Sequence, residues 1–122
     1  MEKPAPIQLQ QELLAKAYAA FNARDIDSVL VLMHTHVQWA NGMEGGYVSG
    51  CEAVRDYWTR QWSLIDPHVE PLEFQPIEDG LIAVKVHQVV HDLDGNLIHE
   101  QIVHHVYTIE NALIRQMDIQ QP

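Results

Sequence analysis

Eight histidines stand among the 122 residues, and four of them, His87, His91, His99 and His105, fall in two segments where apolar and polar residues alternate. An imidazole titrates near neutral pH, so a histidine held in a pocket can give or take a proton under ordinary conditions. Strand alternation puts His99, Gln101, Val103, His105, Tyr107 and Ile109 on one face of the stretch Leu97 to Ile109. Ile98, Glu100, Ile102, His104, Val106 and Thr108 take the other face, so the neighbours His104 and His105 point apart and cannot chelate. In Leu81 to Leu93 two faces compete: Lys85, His87, Val89 and His91, or Val84, Val86, Gln88 and Val90. The expectation is that His105 and His87 face a pocket as base or acid. The plainer alternative is that they hydrogen-bond Gln101, Tyr107 or a ligand and do no chemistry.

Other residues can complete such a site. Trp39 and Asn41 lie two apart on one strand, an aromatic surface beside a polar handle. Tyr57, Val103, Tyr107 and Met117 are expected as pocket wall, whereas Trp58 and Trp62 recur at helical spacing and read as plain core. No metal is expected. The histidines show neither a close-spaced Cys/His set nor a helical His pair, and His91 and His99 belong to other rungs than His87 and His105. Cys51 has no base beside it in any motif and is read as inert. The loop Gly42 to Tyr47, with three glycines, reads as a lid without a phosphate-binding pattern.

Composition narrows the class. An apolar share of 47% suits a globular chain, and 122 residues suit one domain, 7–122, after a loose arm, Met1 to Pro6. Seven Lys and Arg against seventeen Asp and Glu give a formal charge of −10. Such a surface repels phosphate backbones and anionic lipid, so neither nucleic acid nor membrane is an expected partner. No run has the length of a membrane span, no signal peptide is read at the start, and a cytoplasmic address is expected.

The positioning elements follow from periodicity. Leu9, Leu13, Leu14, Ala17, Tyr18 and Phe21 make one apolar stripe of a helix from Ile7 to Phe21. Asn22 suits its end, and Asp25 can cap a second helix, Ile26 to Met33. A strand, Val37 to Asn41, and a third helix from Ser49 through Trp58 follow, with the stripe running on to Ile65 and stopped by Asp66-Pro67. Strands are expected at His68 to Ile77, Leu81 to Leu93, Leu97 to Ile109 and Leu113 to Ile119, separated by turn residues. Three helices before a curved antiparallel meander make an α+β cone with one internal pocket.

The order helix, Asn22-Ala23-Arg24-Asp25 turn, strand and Gly50-started helix resembles the nuclear-transport-factor-2-like superfamily. That group includes ketosteroid isomerase, limonene epoxide hydrolase and SnoaL-like cyclases, and the resemblance implies a cystatin-like cone. Against ketosteroid isomerase, the general-base aspartate falls on Asn41, the oxyanion-stabilising aspartic acid on His105, and the oxyanion tyrosine on Ala17, beside Tyr18. Asparagine cannot abstract a proton, so steroid isomerisation by that mechanism is not expected. Against limonene epoxide hydrolase, Trp39 and Asn41 match the water-holding pair, Lys85 and His87 the later Arg and Asp, and Ile119 the remaining aspartate. The resemblance implies a SnoaL-like pocket protein that needs no cofactor and works by general acid–base chemistry on a largely apolar cyclic molecule. His105, His87 and Asn41 are its candidate catalytic residues, and Tyr18, Trp39, Tyr57, Lys85, Gln101, Val103, Tyr107 and Met117 its substrate wall. The alternative is a non-catalytic binding or dimerisation module of that fold. Aliphatics at Val84, Val86, Val90, Ile98, Ile102 and Val106, taken as an outer sheet face, lead to an expected homodimer.

Overall fold

A computed structural model describes residues 6–42, 44–78 and 80–120, and all statements below concern these. The elements run α1 (Pro6–Asn22), α2 (Ile26–Leu30), β1 (Met33–Ala40), β2 (Tyr47–Ser49), α3 (Cys51–Trp62), β3 (Ile65–Glu78), β4 (Leu81–Asp92), β5 (Leu97–Glu110) and β6 (Leu113–Gln120). The strands form one sheet in the order β2-β1-β6-β5-β4-β3. Neighbours are antiparallel except β1 and β6, which pair parallel. The fold is the expected α+β cone: helices cover one face of the curved sheet, and the apolar core lies between them. None of the helices is long and apolar enough to cross a membrane.

The turn Asn22 to Asp25 explains how α1 meets the sheet. Asn22 Nδ2 donates to the Val69 carbonyl at 2.7 Å, and Val69 N–H donates to Asn22 Oδ1 at 3.0 Å, so one side chain completes an edge-strand residue's backbone pairing. Arg24 takes a left-handed φ of 64° and reaches the Asp66 carboxylate and the Pro67 carbonyl. Asp25 caps α2, accepting from Ser28 N–H at 3.3 Å and Ser28 Oγ–H at 2.7 Å.

Several boundaries differ from the periodic reading. Pro6 opens α1 rather than ending an arm, since a proline is tolerated in a first helical turn; the rest of that arm lies outside the described residues. The second helix stops at Leu30, and Met33 opens β1, which extends four residues further toward the N-terminus than expected. Met33 pairs with Ile114 of β6, a contact 81 positions along the chain that local spacing does not reveal. The glycine-rich loop closes a hairpin: Asn41 N–H donates to Gly46 O at 2.9 Å and Gly45 N–H to Asn41 O at 2.8 Å. Behind it, the short strand β2 was not anticipated; Met43 lies outside the described residues. The third helix begins at Cys51, after Gly50 at φ +90°, and ends at Trp62. Asp66 and Pro67 therefore sit in β3, an edge strand where the missing N–H groups of Pro67, Pro71 and Pro76 do least harm.

Candidate functional site

The sheet register decides which side chains meet the helices. Cross-strand partners share a face, and Val84 pairs with His105, Val86 with Val103, Gln88 with Gln101, and Val90 with His99. Val84, Val86, Gln88 and Val90 thus turn inward with the His105 face. The competing set turns outward: Lys85 pairs with His104 and His87 with Ile102. His87 Nε2 lies 2.6 Å from the Glu100 carboxylate there. The structure thus separates His87 and Lys85 from the cavity, contrary to their expected place in it. Asn41 is not among the cavity-lining residues. Its Nδ2 donates to Glu44 Oε1 at 3.1 Å and its Oδ1 accepts Glu44 N–H at 2.9 Å, so the side chain shapes the hairpin instead of lining the cavity. The four strand histidines do not converge either, since His91 pairs with outward Asp66 while His99 and His105 line the cavity. Among the described residues no cluster of three metal-binding side chains exists.

Between α1, α3 and the sheet lies a cavity of about 230 Å³. Six of the expected wall residues face it together with His105: Tyr18, Trp39, Tyr57, Val103, Tyr107 and Met117; Gln101 sits at its mouth. Trp58 also lines it, edge-on to Trp39 with centroids 5.2 Å apart, so an expected core residue is pocket wall as well. Trp62 lies behind, stacked under the Arg24 guanidinium at 5.0 Å. Sequence reasoning missed Phe21, Gln61 and Val69 and left Gln88 undecided. Phe21 follows Tyr18 by three and Gln61 follows Tyr57 by four, so extending each pocket-facing helical stripe by one turn finds both.

The inner wall carries a hydrogen-bonded chain. Tyr107 O–H donates to the Tyr18 oxygen at 2.9 Å, and Tyr18 lies 2.8 Å from His105 Nδ1, its ring stacked on the imidazole with centroids 5.9 Å apart. With Tyr107 donating to Tyr18, Tyr18 can give its own proton to Nδ1, and this tautomer carries the imidazole proton on Nε2, free of any hydrogen bond to the described residues. Burial, with the neighbouring His104 second, lowers the His105 pKa to about 4, so the ring is neutral at pH 7. Burial likewise pushes Tyr18 and Tyr107 well above the usual phenol range, keeping both protonated. No Asp, Glu, Lys or Arg lines the cavity among the described residues. The arrangement can donate a hydrogen bond to a ligand oxygen from a neutral, oriented imidazole.

An α+β cone with an apolar, aromatic cavity and one buried polar chain marks a small-molecule-binding protein of the nuclear-transport-factor-2-like class. The chain belongs to the SnoaL-like domain family, whose model matches residues 14–117. It is similar in fold to TerC, a structure co-crystallised with polyporic acid, at TM-score 0.83 and 22% identity over 93% of this chain and 92% of that one. A putative polyketide cyclase from Xanthomonas campestris superposes at TM-score 0.78 and 18% identity, covering 94% and 91% of the two chains. A computationally designed 17-OHP binder superposes at TM-score 0.78 and 17% identity, covering 98% and 95%. No protein of curated function matches the chain.

Proposed function

We propose that the cavity holds a largely apolar cyclic or cyclising molecule with a carbonyl against His105, and promotes an isomerisation or ring closure of it without a cofactor. The observation that carries this reading is the chain Tyr107–Tyr18–His105 on the inner wall. A neutral Nε2–H polarises a carbonyl and stabilises the alkoxide-like charge that develops as the substrate's own enol carbon bonds to the carbonyl carbon, the C=O π bond opens and the enol proton passes to that oxygen, while Tyr18 fixes the tautomer. With no carboxylate in the described lining, the reaction best suited is one in which substrate supplies both nucleophile and electrophile and the wall holds them together. A cyclase-like fold neighbour supports the reaction class. The uncharged lining also supports the second reading, a binder without turnover, in line with the designed binder of the same fold.

The test uses a panel of cyclic enones and linear polyketone chains. His105→Leu should lower turnover about a hundredfold, the loss expected for one oxyanion donor, while His105→Gln, which keeps an N–H donor, should retain most of it. Equal loss in both variants would make His105 a base instead. Unchanged turnover in His105→Leu would remove it from the chemistry, and an inactive natural protein that still binds panel members would leave the binder.

The homodimer is proposed on narrower grounds than the sequence offered. Val84, Val86 and Val90 face the core, which leaves Ile98, at 50% exposure, with half-covered Ile102 and Val106 on the outer sheet face. A monomer by sedimentation at about tens of micromolar would exclude it.

A further inference from the structure

The cavity has a second polar end. Gln101 Nε2 donates to Gln88 Oε1 at 3.0 Å across the β4–β5 pair, and Gln61 and His99 join them around the mouth. Gln101 lies four residues before His105 on the same face of β5, about 13 Å at the usual strand rise. On β5 only Val103 lies between the two ends on the inward face, and the rest of the lining, Val90 beside His99 and the rings of Trp39 and Trp58 included, is largely apolar or aromatic. The amide pair satisfies one donor and one acceptor internally and leaves further N–H and C=O capacity on each residue.

Two exposed ion pairs stand on segments that also carry cavity residues: Arg60 with Glu44 at 2.8 Å, and Arg24 with Asp66. None of them lines the cavity. A carboxylate or phosphate entering it would lose its water and meet no Lys or Arg in the described lining, only the His99 imidazole beside the amide pair, against a protein of net charge −10. A cationic ligand would find aromatic faces but also the His105 N–H at the inner end, which repels it.

Resting on the carbonyl reading of His105 given above, we infer that the cavity selects an uncharged, flat ligand of about two rings with a neutral hydrogen-bonding group at each end. The inner group is read by His105 and the outer one by the Gln88–Gln101 amide pair. At about 230 Å³ the cavity falls below the ~300 Å³ at which drug-sized pockets begin, which suits two rings better than four.

Four probes test this: 2-acetylnaphthalene, its 6-hydroxy derivative, its 6-carboxylate and its 6-trimethylammonium derivative, with affinity read calorimetrically and by quenching of Trp39 and Trp58. The hydroxy probe should bind about fivefold tighter than the parent, the worth of one hydrogen bond, and lose that advantage in Gln101→Leu. The carboxylate should bind about a hundredfold weaker than the hydroxy probe, and Gln101→Lys should recover at least about tenfold of that deficit. The ammonium probe should bind no tighter than the hydroxy probe. A carboxylate or ammonium probe that matches the hydroxy probe overturns the inference. So does a hydroxyl advantage that is absent, or that survives in Gln101→Leu. His105→Leu reads the underlying proposal separately, because it should weaken all four probes by a common factor through their shared carbonyl. If that variant changes nothing, the carbonyl reading fails even where the mouth discriminates as expected; if no probe binds, both fall.

Discussion

Acid should unfold this protein partly through one residue, His105. In the unfolded chain its imidazole takes up a proton near pH 6.5, and in the fold only near 4, because burial penalises the charged ring. Above pH 6.5 both states are neutral at this position and it adds nothing to the pH dependence. Between these values the unfolded chain binds a proton that the folded chain refuses, so stability falls as pH falls. The slope is about 1.4 kcal/mol per pH unit, which amounts to about 2 kcal/mol by pH 5 and about 3 kcal/mol near pH 4. Against a total stability of about 5–15 kcal/mol this is a large share. Other histidines and the carboxylates titrate too, so the measurement is a difference between natural protein and His105→Gln. Glutamine does not titrate and can still accept from Tyr18. Urea unfolding of both proteins at about pH 7, 6 and 5 should give curves that converge by about 2 kcal/mol as the pH drops. Curves parallel within about 0.5 kcal/mol would refute the argument and mean that His105 is hydrated or partnered at Nε2. Nitrogen NMR of the imidazole should show the proton on Nε2 and no titration around neutral pH.

Asn41→Asp, which the resemblance to ketosteroid isomerase marks as a route to a proton shuttle, should bring no isomerisation of a 5-ene-3-ketosteroid. A carboxylate there would face Glu44 in the hairpin rather than the cavity, and a loss of about 1 kcal/mol in urea unfolding is expected as the donor to Glu44 disappears. Isomerase activity in this variant would place Asn41 in the pocket. Ala112→Gly should stabilise the fold by about 0.5–1 kcal/mol, because Ala112 holds a φ of 63° in the tight β5–β6 turn, and glycine adopts that conformation freely. A loss in chemical denaturation would show that the alanine methyl packs usefully at that turn.

How far the chain speaks for itself depends on which forces act locally. The stripe through Leu14, Ala17, Tyr18 and Phe21 buries one face of α1 whatever it packs against, and Asp25 caps α2 through a residue three positions away. Alternation on β5 likewise put Gln101, Val103, His105 and Tyr107 on one face, because backbone pleat alone sets that period. These elements and half the cavity wall were therefore legible, as was the cone they build. The other half was not. Whether His87 or Gln88 faces inward depends on how β4 registers against β5, and both faces of β4 carry aliphatics, so hydrophobic pattern does not choose between them. Only the pairing of Val84 with His105, with the shift beside His91, settles it and moves His87 and Lys85 outside. Met33 reads as helix until its partner Ile114 is known, and Asn41 reads as a pocket donor until the Glu44 backbone claims it. The chain of Tyr107, Tyr18 and His105 joins residues 87 and 89 positions apart; no local rule brings them together, and only closing the cone does.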